Sequence, residues 1–236
     1  MKQKLSYKEY LVNGIRDIVF GLEDGLVSTV GVLTGIASGT NDHFVVILSG
    51  FVLVIVEALS MGVGSFLSAQ SERDMQQRQY KDLKHLANRD PQAAEDILVK
   101  HYQEIGLTQA QIDSCLKLVE KNKKVFAKEL GVYHLGMGTT SDNGNTWING
   151  VMMFFSYIIG GAVPIFPYFF LPVAQALVLS IPLTVIALFI LGAAKGKLTY
   201  KNWLSSGLQM AILSCSAALL GFLVGKLVAY WWGINI

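Results

Sequence analysis

Charge is scarce in this chain. Only 15% of its 236 residues are charged, where soluble domains carry about 25%. Hydrophobic residues make up 52%, and the mean hydropathy is +0.45. Such a balance excludes an ordinary soluble domain and points to a membrane. Cysteine is nearly absent. Cys115 falls in a charged segment and Cys215 in an apolar one, which excludes a disulfide framework and any zinc-site spacing. The formal net charge is only +2, with no basic stripe interleaved with aromatics, so no nucleic-acid partner is expected. There is no G-x-S-x-G, no H-E-x-x-H and no P-loop, so an enzyme is not expected either. The N-terminus, MKQKLSYKEYLVNGIRD, is polar and basic and lacks the apolar core of a cleavable signal. The first apolar run is therefore expected to be retained as a span.

That run, Arg16 to Gly39, is RDIVFGLEDGLVSTVGVLTGIASG. It reads as a membrane-spanning helix carrying two acids, Glu23 and Asp24. A carboxylate near the bilayer centre costs roughly 2.5–3.5 kcal/mol on insertion scales, so it must face a partner, a cavity or a passing cation. Small residues recur along it: Gly21 and Gly25, then Gly31, Gly35 and Gly39. This spacing lets another helix backbone come close, so the helix is expected to pack tightly among others.

A second span is expected from Phe44 to about Ala69, after the polar turn GTNDHF, and it carries Glu57. Residues 70–146 then turn polar, with dense and balanced charge. SERDMQQRQYKDLKHLANR extends the second span. Asp90 and Pro91 open a helix that stops at Gly106. Thr108 caps another, which is expected to run to Gly131 with Leu116, Val119, Lys123, Phe126 and Leu130 on one face. Three further spans are expected: Trp147–Phe170 with the break PIFPYFFLP, Val173 to about Ala194, and Ser205–Trp232 with a small face at Ala217, Gly221 and Gly225. The expected architecture is thus an all-α integral membrane protein. It has a segment over residues 1–15, helices 1 and 2 over 16–69, a three-helix domain over 70–146 and helices 3 to 5 over 147–236. Lys2, Lys4, Lys8, Arg16, the helical domain and Lys195, Lys197 and Lys201 share one side. By the positive-inside rule that side is cytosolic and the C-terminus lies outside or in a lumen.

Depth gathers the polar residues. Asp24 lies about seven residues, roughly 10 Å, from the cytosolic end of its helix, and so does Met61 on the antiparallel second helix. This reckoning sets Asp24 beside Met61, with Glu57 about 6 Å further in. Carboxylates with a thioether suit a divalent transition metal, because sulfur is a soft ligand. Packing is the plainer account of Met61, and Glu23 is as well explained by the interface or a second chain. Asp24 and Glu57 are the stronger candidates, since acids within a membrane are costly.

RDIVFGLEDGLVSTVGVLTG, ALSMGVGSFLSAQSE, KELG before a linker, GGAVPIFPYFFLP and AKGKLTYKNW occur in this order. In this the chain resembles the vacuolar iron transporter family over most of its length, least so in the helical domain. The resemblance implies a homodimer of five-span subunits that moves Fe(II), and often Mn(II), out of the cytosol in exchange for protons, with no resident cofactor. It implies that Asp24 and Met61 line the path at the dimer interface, where the glycine ladder of the first helix would let two such helices meet. It further implies that a cytosolic domain collects metal, through Glu129 in KELG and Glu95 in QAAED. The chain also departs from that pattern. Leu83, Leu86 and Gln92 stand where the plant-type domain has glutamates, Val125 and Phe126 replace a methionine pair, and Leu53 stands at the pore glutamate's place while Glu57 carries the acid. Glu72, Glu104, Glu120, His85, His101 and His134 are the substitutes on offer, although a solvated helix face accounts for each.

The leading expectation is a proton-coupled exporter that passes metal from Asp24 and Met61 to Glu57, since metal and protons compete for the same oxygens. Its partners are the bilayer, the metal ion and a second copy of the chain. Two alternatives remain open at this point: a membrane-anchored metal buffer or sensor that does not transport, and a transporter of the same fold for another cation. Both a prokaryotic plasma membrane and a vacuolar-type membrane fit.

Overall fold

The computed structural model describes residues 7–40, 42–120, 125–126, 129–131 and 146–231. Among these every regular element is helical: α1 (Tyr7–Gly39), α2 (His43–Arg89), α3 (Pro91–Glu104), α4 (Gln109–Glu120), α5 (Trp147–Ile165), a 3-10 turn (Phe166–Phe169), α6 (Val173–Leu198) and α7 (Trp203–Trp231). Five of them, α1, α2, α5, α6 and α7, are long and apolar enough to cross a membrane.

The chain forms two compact units, one of residues 1–67 and 145–236, the other of residues 68–144. In the first, local chemistry sets the helix limits. Asp42 caps α2, its Oδ1 accepting from the backbone N–H groups of Phe44 at 2.9 Å and Val45 at 3.1 Å, as an aspartate does ahead of a first turn. Asn202 caps α7 in the same way through Leu204 and Ser205. In PIFPYFFLP the α-helix tightens into the 3-10 turn after Ile165. There the buried Ser180 Oγ donates to the Pro164 carbonyl at 2.8 Å. The basic loop expected after Ala194 is shorter than the sequence suggested, because α6 continues through Lys195 and Lys197 to Leu198.

The glycine ladder of α1 is used within the chain. Gly21 and Gly25 lie against α5, where a Cβ on Gly21 would sit 2.9 Å from the Met153 carbonyl oxygen and one on Gly25 2.9 Å from the Gly161 nitrogen. Gly31, Gly35 and Gly39 meet Ala217, Gly221 and Gly225 of α7 in turn, at 3.3, 2.9 and 3.7 Å by the same measure. The small faces of the first and last spans are therefore each other's partners, which corrects the expectation that the ladder meets a second subunit. Close backbone approach is what small residues in facing rows allow. Gly62 of α2 and Gly150 of α5 make a third contact of this kind.

The second unit is built by the remainder of α2, α3, α4 and the helical residues 125–126 and 129–131. Asp90 Oδ1 accepts from Ala93 N at 3.1 Å, with Pro91 as the first helical residue. Gly106, at φ 84°, makes the turn after α3, a backbone region open to glycine at no steric cost. Gln111 Oε1 accepts from both the N–H and the hydroxyl of Thr108, each at 2.9 Å, which supplies the side-chain-to-N-cap half of a capping box. Leu98, Tyr102, Ile112, Leu116, Phe126 and Leu130 form the core, with Leu86 packed on it. Residues 121–124, Lys123 among them, and residues 127–128 of the helix expected to run to Gly131 lie outside the described residues.

Candidate functional site

Two helix contacts fix the register of α1 against α2. Ser65 Oγ donates to Asp17 Oδ1 at 3.2 Å, and a Cβ on Gly50 would lie 3.0 Å from Leu33 Cδ2. Between these antiparallel anchors Asp24 falls level with Ala58 or Leu59, one or two residues from Glu57 and two or three from Met61. The depth reckoning from the sequence is off by two or three residues, about 4 Å at 1.5 Å per residue. Met61 stands level with Gly21 or Leu22, nearer the N-terminal end of α1. The electrostatics agree, since Asp24 feels the charge of Glu57 and Tyr157 feels both.

Beside Asp24, Ser28 and Tyr157 form a short chain of hydrogen bonds. Ser28 Oγ donates to the Asp24 carbonyl at 2.6 Å. With its only proton committed there, it accepts from the Tyr157 hydroxyl, also at 2.6 Å. Tyr157 is wholly buried, so it holds a chain of hydrogen bonds from α5 to the backbone of α1 beside Asp24. Asp24, Glu57 and Met61 are each half-buried. A cation reaching this level meets two carboxylates with no cationic side chain paired to either among the described residues. Such a place can hold a divalent ion or protons, because a desolvated charge requires a partner. Glu23 is half-buried too, but nothing in the structure ties it to this group.

Sequence reasoning missed Asp17, Ser28, Ser65 and Tyr157. Asp17 is 4% exposed and lies seven residues before Asp24 on the same helix face. That spacing was the available signal, hidden because Asp17 stands beside Arg16 at the expected start of the span.

In the second unit Glu72 is exposed, whereas Glu95 and Glu129 are half-buried. Among the described residues no three His, Cys, Asp or Glu side chains come together, so these three glutamates do not form a preassembled site. Glu129 instead lies near the buried Tyr102. Burial first, then the charges of Glu129 and Cys115, push the Tyr102 phenol above its ordinary pKa. Leu83, Leu86 and Phe126, which depart from the plant-type pattern, have structural employment: Leu83 and Phe126 are buried, and Leu86 packs on the unit's core.

Comparison with known proteins gives the same direction. The sequence profile described as VIT family matches residues 15–226. Vacuolar iron transporter 1 of Eucalyptus grandis is 31% identical, covering 91% of this chain and 86% of the relative. The tulip protein of that name, from Tulipa gesneriana, is 29% identical over 91% of this chain and 87% of its own length. The Arabidopsis thaliana protein is 28% identical over 92% and 86%. All three are named as transporters and none as an enzyme. With five apolar helices long enough to span and a profile match across nearly its whole length, this multi-pass membrane protein belongs to the VIT family.

Proposed function

We propose that the chain carries a divalent transition metal, Fe(II) first and Mn(II) with it, out of the cytosol across a membrane in exchange for protons. The observation that carries this reading is the placement of Asp24 beside Glu57 between apolar spanning helices. Two neighbouring carboxylates in low dielectric are stable together only with bound cation or proton. Metal release on protonation then follows from competition for the same oxygens. The thioether of Met61, half-buried and about one turn nearer the N-terminal end of α1, favours a transition metal over Ca(II) or Mg(II). The names of the relatives support iron as cargo.

In this reading the N-terminal end of α1 and the unit of residues 68–144 are cytosolic, and Glu72, Glu95 and Glu129 hold metal loosely. The exposed apolar row Val52, Val56, Leu59 and Val63 on α2 packs against a second copy of the chain, so that the homodimer closes Asp24, Glu57 and Met61 off from lipid. The host is a prokaryotic plasma membrane or a vacuolar-type membrane with an acidic far side. A competition series in proteoliposomes tests the reading, with Fe(II), Mn(II), Co(II), Zn(II) and Ca(II) offered to the full-length protein. Fe(II) and Mn(II) flux that Ca(II) does not inhibit is expected. Tight metal binding without flux contradicts transport and favours a membrane-anchored buffer.

A further inference from the structure

The turn between α6 and α7 carries charge that the function above does not use. Lys195, Lys197 and Lys201 fall within AKGKLTYKNW, and no aspartate or glutamate follows Asp142 in the sequence. All three lysines are exposed, and none pairs with an acid among the described residues. The two helices are locked together at this membrane end. A Cβ on Gly192 would lie 2.6 Å from the Ser206 carbonyl oxygen, and one on Gly196 2.9 Å from Trp203 Cα. The Trp203 ring stands edge-on to Phe189, with 6.4 Å between centroids. Beside the lysines, Leu198, Trp203 and Leu204 expose apolar surface. Cationic and apolar groups thus share one rigid base.

The way α6 ends is a second, independent sign. Lys201 N donates to the Gly196 carbonyl at 2.9 Å and Tyr200 N to the Lys197 carbonyl at 3.3 Å, the paired bonds of a Schellman motif. The left-handed position of that motif usually belongs to glycine. Here it is Tyr200, at φ 54° the only non-glycine residue with positive φ among the described residues. A Cβ is strained in that region. Packing within the chain does not offset the strain, because Tyr200 is 100% exposed. A strained aromatic that touches nothing in its own chain points to a contact outside it. At the edge of a membrane, tyrosine and tryptophan sit at headgroup level.

We infer that the α6–α7 turn is a docking surface for an anionic phospholipid. Lys195, Lys197 and Lys201 meet the headgroup, Tyr200 and Trp203 lie at its level, and Leu198 and Leu204 meet the acyl chains. Charge complementarity selects the lipid class, since lysines without acidic neighbours are drawn to an anionic leaflet. Among the described residues the opposite ends of the spans offer only Lys226, so the attraction belongs to one face of the membrane. The exposed leucines select a lipid over free phosphate, because a free anion covers no apolar surface. The surface needs only the spanning hairpin and does not depend on which ion the protein carries.

The test titrates the full-length protein in a non-ionic detergent with phosphatidylglycerol, phosphatidylcholine or inorganic phosphate. Native mass spectrometry counts bound lipid, and thermal unfolding is followed alongside. Phosphatidylglycerol is expected to bind on the order of tenfold more tightly than phosphatidylcholine and to raise the melting temperature, which inorganic phosphate leaves unchanged. Replacing the three lysines together, Lys195→Gln with Lys197→Gln and Lys201→Gln, is expected to weaken phosphatidylglycerol binding by about fivefold per lysine. Lys226→Gln, at the far end of α7, is the control and should bind as the wild type does. Tyr200→Gly relieves the left-handed strain, so it should melt no earlier than the wild type in detergent alone, yet bind phosphatidylglycerol several-fold less tightly. Equal binding of the two lipids by the wild type refutes the docking surface. So does an undiminished preference for phosphatidylglycerol in the triple variant, or an equal loss in Lys226→Gln. A melting shift from inorganic phosphate as large as that from the lipid also refutes it. Metal flux is not read, so the outcome stands apart from the transport reading.

Discussion

Replacing Gly25 by alanine is the sharpest test of how the membrane helices position the acids. A Cβ at this place would lie 2.9 Å from the Gly161 nitrogen and closer still to the Tyr157 carbonyl oxygen, while ordinary contacts begin at 3.4 Å. Both neighbours are backbone and cannot rotate away, so α1 and α5 must separate by at least about 0.5 Å, at a cost of about 1–3 kcal/mol for overpacking. The separation falls one residue from Asp24 and stretches the 2.6 Å link between Ser28 and Tyr157. Gly39→Ala on the same helix is the control, since its Cβ would meet only the Gly225 carbonyl oxygen at 3.7 Å. Thermal unfolding of the purified protein in detergent, with metal uptake in proteoliposomes, reads both effects. Gly25→Ala should melt earlier and transport more slowly, and Gly39→Ala should match the wild type. Equal behaviour of the two variants would refute the claim that backbone contact between α1 and α5 sets the site.

Two further predictions concern buried polar groups and one surface-facing unit. Ser180→Ala leaves the Pro164 carbonyl without its 2.8 Å donor and should destabilise by about 1–3 kcal/mol. Ser214→Ala removes a buried hydroxyl that has no partner among the described residues and should cost nothing; thermal unfolding that ranks the two the other way contradicts the hydrogen-bond assignment. Tyr102, with its pKa held above the ordinary 10.0, favours folding while it is protonated. Its contribution is present below the unfolded pKa and is lost as pH rises through the folded one. Unfolding followed between about pH 9 and pH 12 should show a smaller alkaline loss in Tyr102→Phe than in the wild type, and identical losses would discard this role.

How much of this was legible in the sequence depends on what sets each feature. The spans follow from hydropathy and length, which are local, and α1, α2, α5, α6 and α7 stand close to where the apolar runs place them. The caps at Asp90 and Thr108 are likewise local. The pairing of helices is not. Gly31, Gly35 and Gly39 announce a close contact without naming the partner, and the partner is the small face of α7. Register is lost for the same reason: counting residues from each membrane edge treats both edges as equally deep, whereas Asp17–Ser65 and Leu33–Gly50 slide α2 by two or three residues. That slip puts Asp24 between the levels of Glu57 and Met61 instead of at the level of Met61. Tyr157 and Met153 could not be drawn in at all, because nothing in their own segment shows which helix they meet.

Metal uptake driven by a proton gradient tests the central claim most directly. Proteoliposomes with an acidic lumen and Fe(II) outside should accumulate metal and release protons through the wild-type protein. Asp24→Asn and Glu57→Gln, which keep the shape of the pair and remove its charge, should each abolish both movements. Wild-type rates in either variant would contradict the account.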